Sequence, residues 1–175
     1  MIEFAYNFNI SDPLKWERRI KLIGFCMLIK RYVINDIGLL DERFTPGNFE
    51  DDDYSYRIIN AGYDLMLCKD TFIHHFGSVS FSKDSNNYSS TLHKNSKKFQ
   101  DKWGFNSAYS SFIRNEIIDF IDKGKEEAFN VLEVGCACGA TLLKIKDSYK
   151  NVNIYGIELN EGAASIAKNF ADVRA

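Results

Sequence analysis

Between Asn130 and Glu158 the chain reads NVLEVGCACGATLLKI and, after a polar stretch, NIYGIE, two apolar strand-like runs joined through a turn of small residues and a helix. That order leaves few folds open, because a strand, a helix and a second strand return the chain parallel to its start by a right-handed crossover. The patterning predicts strands over Asn130 to Val134 and Asn153 to Glu158, a helix ending near Ser148 and another from about Gly162. This is a βαβα unit, the start of a parallel sheet. Glu133, Gly135, Ala137 and Gly139 stand at the strand-to-helix turn, and Glu158 closes the second strand about 20 residues on. Small side chains there let the backbone approach a nucleoside, and the second acid can accept from both ribose hydroxyls. The plainer alternative is a tight turn needed only for packing, and among ligands NAD is a second candidate. Cys136 and Cys138 are expected to pack without chemistry.

Upstream the pattern is less regular. LIGFCMLI (22–29) is a continuous apolar run that suits a buried strand, and Val33, Ile34, Ile37 and Leu40 are spaced for a short helix. TPGN reads as a loop. A helix is expected from Asp51, with Tyr54, Ile58 and Ala61 on one face and Gly62 as its stop. YDLMLC and TFIHHF read as strands joined at Lys69-Asp70. After Phe81 a loop rich in Ser and Asn leads into a helix ending near FQDKWG, and one further helix is expected from about Ala108 to Asp122.

Within this part the acids of EDDD sit where free backbone N–H groups and the helix dipole favour negative charge, so capping alone explains them. The pair His74-His75 has a similarly plain explanation, since strand alternation would bury one ring and expose the other. The return of the chain through 63–68 can instead bring a carboxylate beside an imidazole, a pairing suited to holding a divalent metal or activating a hydroxyl.

Composition narrows the function classes. With 22 basic and 24 acidic residues the net charge is −2, so nucleic acid is not an expected partner. Four cysteines in neither a disulfide framework nor a zinc spacing suit a reducing, cytoplasmic setting. No window is long and apolar enough for a membrane span.

Taken in order, GFCMLIKRYVINDIGLLDERF, FEDDDYSYRIINAGYDLMLCKDTFIHHFGSVSF and FQDKWG resemble the C-terminal half of family 2 glycosyltransferases. The resemblance implies an α/β fold, a partial GT-A (nucleotide-diphospho-sugar transferase-like) domain. Such a domain moves a sugar with inversion from a nucleotide-sugar donor to a glycan acceptor hydroxyl. Asp51 would match the general base, with Glu50 beside it on the sugar or acceptor. His75, or His74 as the alternative, would match the histidine near the donor phosphates and a divalent metal, Mn or Mg. No Asp-x-Asp metal motif stands upstream of GFCML, so the chain is expected to be a piece of a larger enzyme or to need a partner.

LEVGCACG with GIELNE resembles the start of class I S-adenosylmethionine-dependent methyltransferases. This implies a partial Rossmann-like unit that binds S-adenosylmethionine, with Glu133 and Gly135 along the methionine and ribose side and Glu158 on the ribose. Ala137 replaces the usual middle glycine. The division expected is 1–105 for the glycosyltransferase half, 106–128 for a helical linker and 129–175 for the methyltransferase part. The parent would act in bacterial surface polysaccharide synthesis. Methyl transfer with an accessory N-terminal domain is the alternative. A non-catalytic module is a further one, which would form a homo-oligomer through its open sheet edges.

Overall fold

The computed structural model describes residues 1–76 and 85–175. It is a mixed α/β structure with two small open sheets. The expected stretch from Gly77 to the first residues of the polar loop lies outside the described residues.

Helix α1 (Ile2–Phe8) leads to strand β1 (Trp16–Arg19), and helix α2 (Arg31–Ile37) follows. Helix α3 (Glu50–Asn60) and strand β2 (Leu65–Cys68) come next. β2 does not form a hairpin with the residues after it. It pairs antiparallel with β1, Trp16 opposite Cys68 and Arg19 opposite Leu65. Residues 71–76 have no strand geometry, and both histidines are exposed. The reason lies at Asp70, a buried side chain that accepts from the Asp12 amide at 2.7 Å and the Trp16 indole at 2.8 Å. Asn9 then exchanges two hydrogen bonds with the Phe72 backbone, which the expected strand needed for its own ladder.

The apolar run 22–29 is not a strand either. Ile23, Phe25 and Leu28 point to solvent, while Leu22 and Ile29 pack on the core. Its backbone donors go to side chains of α3: Leu22 N–H to Ser55 Oγ at 3.1 Å, Gly24 N–H to Asp51 Oδ2 at 2.8 Å. α3 forms as expected but is buried more widely, with Tyr54, Tyr56, Ile58 and Ile59 all in the core and Ala61 exposed.

Helix α4 (Ser85–Trp103) begins well inside the expected polar loop. It lays Phe99 and Trp103 against Tyr56 and Phe105. The single helix expected over 108–122 is instead two short turns, α5 (Ser107–Ser110) and α6 (Asn115–Ile118). Tertiary bonds break it: Ser110 C=O accepts from Cys138 N–H at 3.2 Å, and Arg114 N–H donates to Thr141 Oγ1 at 3.2 Å.

The C-terminal part follows the expected order, with β3 (Phe129–Val134), α7 (Ala140–Ser148), β4 (Val152–Ile157) and α8 (Glu161–Ala167). A third strand, β5 (Asp172–Arg174), was not expected, since three residues with one apolar side chain carry no period. The sheet is parallel in the order β3-β4-β5, and α7 and α8 cover one face.

One apolar cluster runs through both parts, joining Tyr54, Tyr56 and Phe99 to Cys138, Leu143, Ala163 and Ile166. Around it Lys144 pairs with Glu17 at 2.8 Å, Arg18 with Asp147, and Asn160 with the Gly104 carbonyl at 2.7 Å. Among the described residues no helix is long and apolar enough to cross a membrane.

Candidate functional site

The acid run at the start of α3 does four different things. Asp53 is fully buried and accepts from Trp103 Nε1 at 2.8 Å, Arg57 Nε at 3.0 Å and Lys102 Nζ at 2.6 Å. Asp52 takes the Lys21 ammonium at 3.1 Å and the Ser107 hydroxyl. Asp51 receives the Gly24 amide on Oδ2 and its neighbour's amide on Oδ1 at 2.9 Å. Glu50 has a buried Oε2 with no partner, and burial, then the charges of Asp51 and Asp52, push its carboxyl above the usual range. Simple capping does not describe this arrangement, because three of the four acids tie distant segments to the helix.

His75 approaches the same place from another segment. Its ring stacks on Phe25 with centroids 4.8 Å apart, and Phe25 follows the glycine whose amide Asp51 holds. Asp51 and His75 therefore share one loop, residues 24–25, although they belong to different elements. His74 turns to Phe76, 4.4 Å away edge to face. Among the described residues no group of three or more His, Cys, Asp or Glu is placed to hold a metal.

The glycine turn is more enclosed. Gly135 and Cys136 donate to the Ile157 carbonyl at 2.7 and 3.2 Å, which closes the turn against the end of β4. Glu158 then spans it, accepting the Ala137 amide at 2.8 Å on one oxygen and the Asn160 amide at 2.7 Å on the other. Ala137 adopts φ 50°, left-handed backbone that an alanine occupies at a cost of about 1–2 kcal/mol. Gly139 is required by contact: a Cβ there would stand 2.9 Å from both Ala167 and Phe170. Gly139 thus packs α7 on α8 and faces neither of the hollows beside the turn.

Two hollows meet at Tyr109 and Ala137. One, of about 510 Å³, is bordered by Gly104, Asn106, Ser110, Glu158 and Asn160. The other, of about 200 Å³, is bordered by Phe112, Arg114, Glu133, Gly135 and Thr141. Glu133 leaves a buried Oε2 without a partner there, and burial pushes its carboxyl up to about 7 against the opposing charge of Arg114. The Cys136 and Cys138 thiols are buried, which pushes them up to about 11 and about 12, so both stay neutral and unreactive.

Helix α5 connects the two places. Ser107 binds Asp52, while Ser110 holds the Cys138 amide and borders the larger hollow. Sequence reasoning missed α5, Arg114 and Thr141, since the expected long helix hid them. Asn160 carried a readable signal: a cap residue directly before α8, whose side chain accepts from Ala163 N–H at 2.9 Å. A larger cleft, about 1270 Å³, lies elsewhere, between Trp16, Arg18, Asp70, Lys144 and Asp147, and no expected site residue borders it.

No family model matches the chain, and neither a curated protein nor a solved structure matches it.

Proposed function

We propose that the chain carries parts of two transferases: the acceptor side of an inverting, GT-A type glycosyltransferase and the S-adenosylmethionine-binding front of a Rossmann-like methyltransferase. One observation carries the sugar-transfer half. Asp51 and His75, far apart along the chain, converge on the loop at Gly24 and Phe25. Asp51 is the base that takes the acceptor proton, and its two amide bonds leave lone pairs on each oxygen for that hydroxyl. Glu50, with its unpaired oxygen, hydrogen-bonds the sugar or acceptor beside it. The described residues do not assemble a donor set for Mn or Mg around His75. In an assay of transfer from a nucleotide sugar to a glycan panel, Asp51→Asn is expected to lower kcat by roughly 10²–10⁴-fold with KM little changed. Full activity in that variant refutes the assignment.

A specific observation favours methyl transfer as a second activity. Glu133 presents an unpaired buried oxygen to a hollow that continues to Glu158. Bound S-adenosylmethionine supplies an electrophilic methyl group on a sulfonium. The protein's part is to pair Glu133 with the α-ammonium, accept the ribose hydroxyls at Glu158 and lay small backbone against the nucleoside. Calorimetric titration with S-adenosylmethionine should give heat that Glu158→Ala removes. Binding should tighten as pH rises through about 7, where Glu133 ionises. A flat profile, or heat with NAD instead, rules against this ligand. A chain silent to every ligand in both assays would leave only a non-catalytic module.

A further inference from the structure

Among the described residues the parallel sheet is covered on one face only. Val131, Ile154 and Val173 meet the helices, with Leu142, Ile145, Ala164 and Ala167. The opposite face carries two rows in register: Leu132, Tyr155 and Asp172, then Val134, Ile157 and Arg174. Leu132, Tyr155, Val134 and Ile157 are 59, 38, 74 and 41 % exposed. Parallel strands are ordinarily buried on both faces, so an uncovered apolar row of this kind calls for a partner. Asn130 and Asn153, joined at 2.9 Å, close one end of the patch. Asp172 and Arg174 are exposed, and their side chains make no hydrogen bond or ion pair among the described residues.

We propose that this face is an interface with a second copy of the chain, stacked face to face about a two-fold axis running across the strands between the two rows. That rotation keeps each strand over its own counterpart and exchanges the rows. Leu132 then meets Val134 of the partner subunit, Tyr155 meets the partner's Ile157, and Asp172 meets the partner's Arg174. Each column is self-complementary, apolar on apolar in β3 and β4 and acid on base in β5, as a two-fold contact requires. An axis along the strands would set Leu132 against Asp172, and the charge pattern selects against it. The sheet edges, where the sequence suggested association, stay free.

With strands about 4.8 Å apart and about 3.3 Å per residue, the patch covers roughly 250 Å², against about 800 Å² per partner in a standard interface. The dimer is therefore weak, and quality of fit more than area sets its Kd. Sedimentation velocity of the 175-residue chain from micromolar to millimolar concentration tests it. Val134→Glu is expected to abolish the dimer with the circular dichroism spectrum unchanged. Asp172→Arg and Arg174→Asp each face like charges and weaken it about tenfold or more, while the double swap restores it to within about threefold. A monomer throughout the range overturns the proposal. Indifference to both single swaps overturns it too, placing the contact elsewhere, for example on the exposed apolar side of α1. A double swap no tighter than the singles overturns the crosswise axis.

Discussion

Ala137 shows how one side chain sets the character of the glycine turn. Its left-handed backbone is fixed from outside, by the Glu158 carboxylate on its amide and the carbonyl of Ile157 on the turn before it. Replacing it with glycine relieves about 1–2 kcal/mol of backbone strain but gives the unfolded chain about 0.4–1 kcal/mol more entropy to lose. Ala137→Gly is therefore expected to stabilise by about 0.5 kcal/mol, and the β-branched Ala137→Val to destabilise by about 2 kcal/mol, both read from urea midpoints. Glu133 acts through charge. Its carboxyl is raised from an ordinary 4.5 to about 7 in the folded chain, so its contribution to stability is complete below pH 4.5 and is lost as pH rises through 7. Glu133→Gln stays neutral, so it should flatten that dependence. Above pH 7 it should leave the variant more stable by on the order of 1 kcal/mol, a figure reduced for the group's partial exposure. Denaturation at pH 5 and pH 8 checks both halves of this statement, and equal differences at the two values would refute it.

At the scale of elements, α3 is the centre of the N-terminal part. Its first turn carries four acids, yet only electrostatics at a helix start is visible in the letters EDDD. In the fold Asp53 is the hub, holding Trp103 and Lys102 of α4 and Arg57 of its own helix, while Arg57 also reaches the Ile37 and Leu39 carbonyls. Removing this carboxylate takes one partner each from Lys102, which keeps Asp41 at 2.8 Å, and from Arg57, which keeps its two carbonyls, and leaves the Trp103 indole N–H unpaired, a loss of about 1–3 kcal/mol. Asp53→Ala should therefore lower the melting temperature by several degrees, more than Asp51→Asn, which gives up one of its two amide acceptors. Similar melting temperatures for the two would deny Asp53 its role. The other elements divide by what their backbone groups could find. β3, α7, β4 and α8 form where the sequence places them, because each carries its own period and α8 also its cap at Asn160. Residues 22–29 and 71–76 do not form strands, because α3 side chains and Asn9 occupy donors and acceptors that a ladder would have used.

The whole molecule is held by a core shared between its N-terminal and C-terminal parts. Gly162 marks the tightest approach: a Cβ there would lie 2.1 Å from the Trp103 carbonyl oxygen. Helix propensity alone makes glycine to alanine favourable by about 1 kcal/mol. The contact reverses the sign, and Gly162→Ala is expected to destabilise by about 1–3 kcal/mol as α8 is pushed off α4. Because Tyr56, Phe99 and Ile166 belong to one cluster, wild type should unfold in a single transition. Amide exchange in β2 and β4 should then report the same opening free energy, and in Gly162→Ala both should weaken together. Separate transitions would mean that the cluster does not couple the parts.

The parallel C-terminal unit and its turn are legible in the chain alone, because period, small residues and the acid after β4 are local and act on neighbours. Glu133, Ala137 and Glu158 could be named for the same reason. The folded core settles which distant group each polar atom meets. It gives β1 to β2, sends Asp51 to Gly24, and stacks Phe25 on His75. It also splits 107–118 around the bonds to Cys138 and Thr141. A backbone donor carries no mark of its partner in the letters of the chain, and a short apolar run suits a strand or a draped loop equally. The choice falls to whichever acceptor the folded core brings within reach.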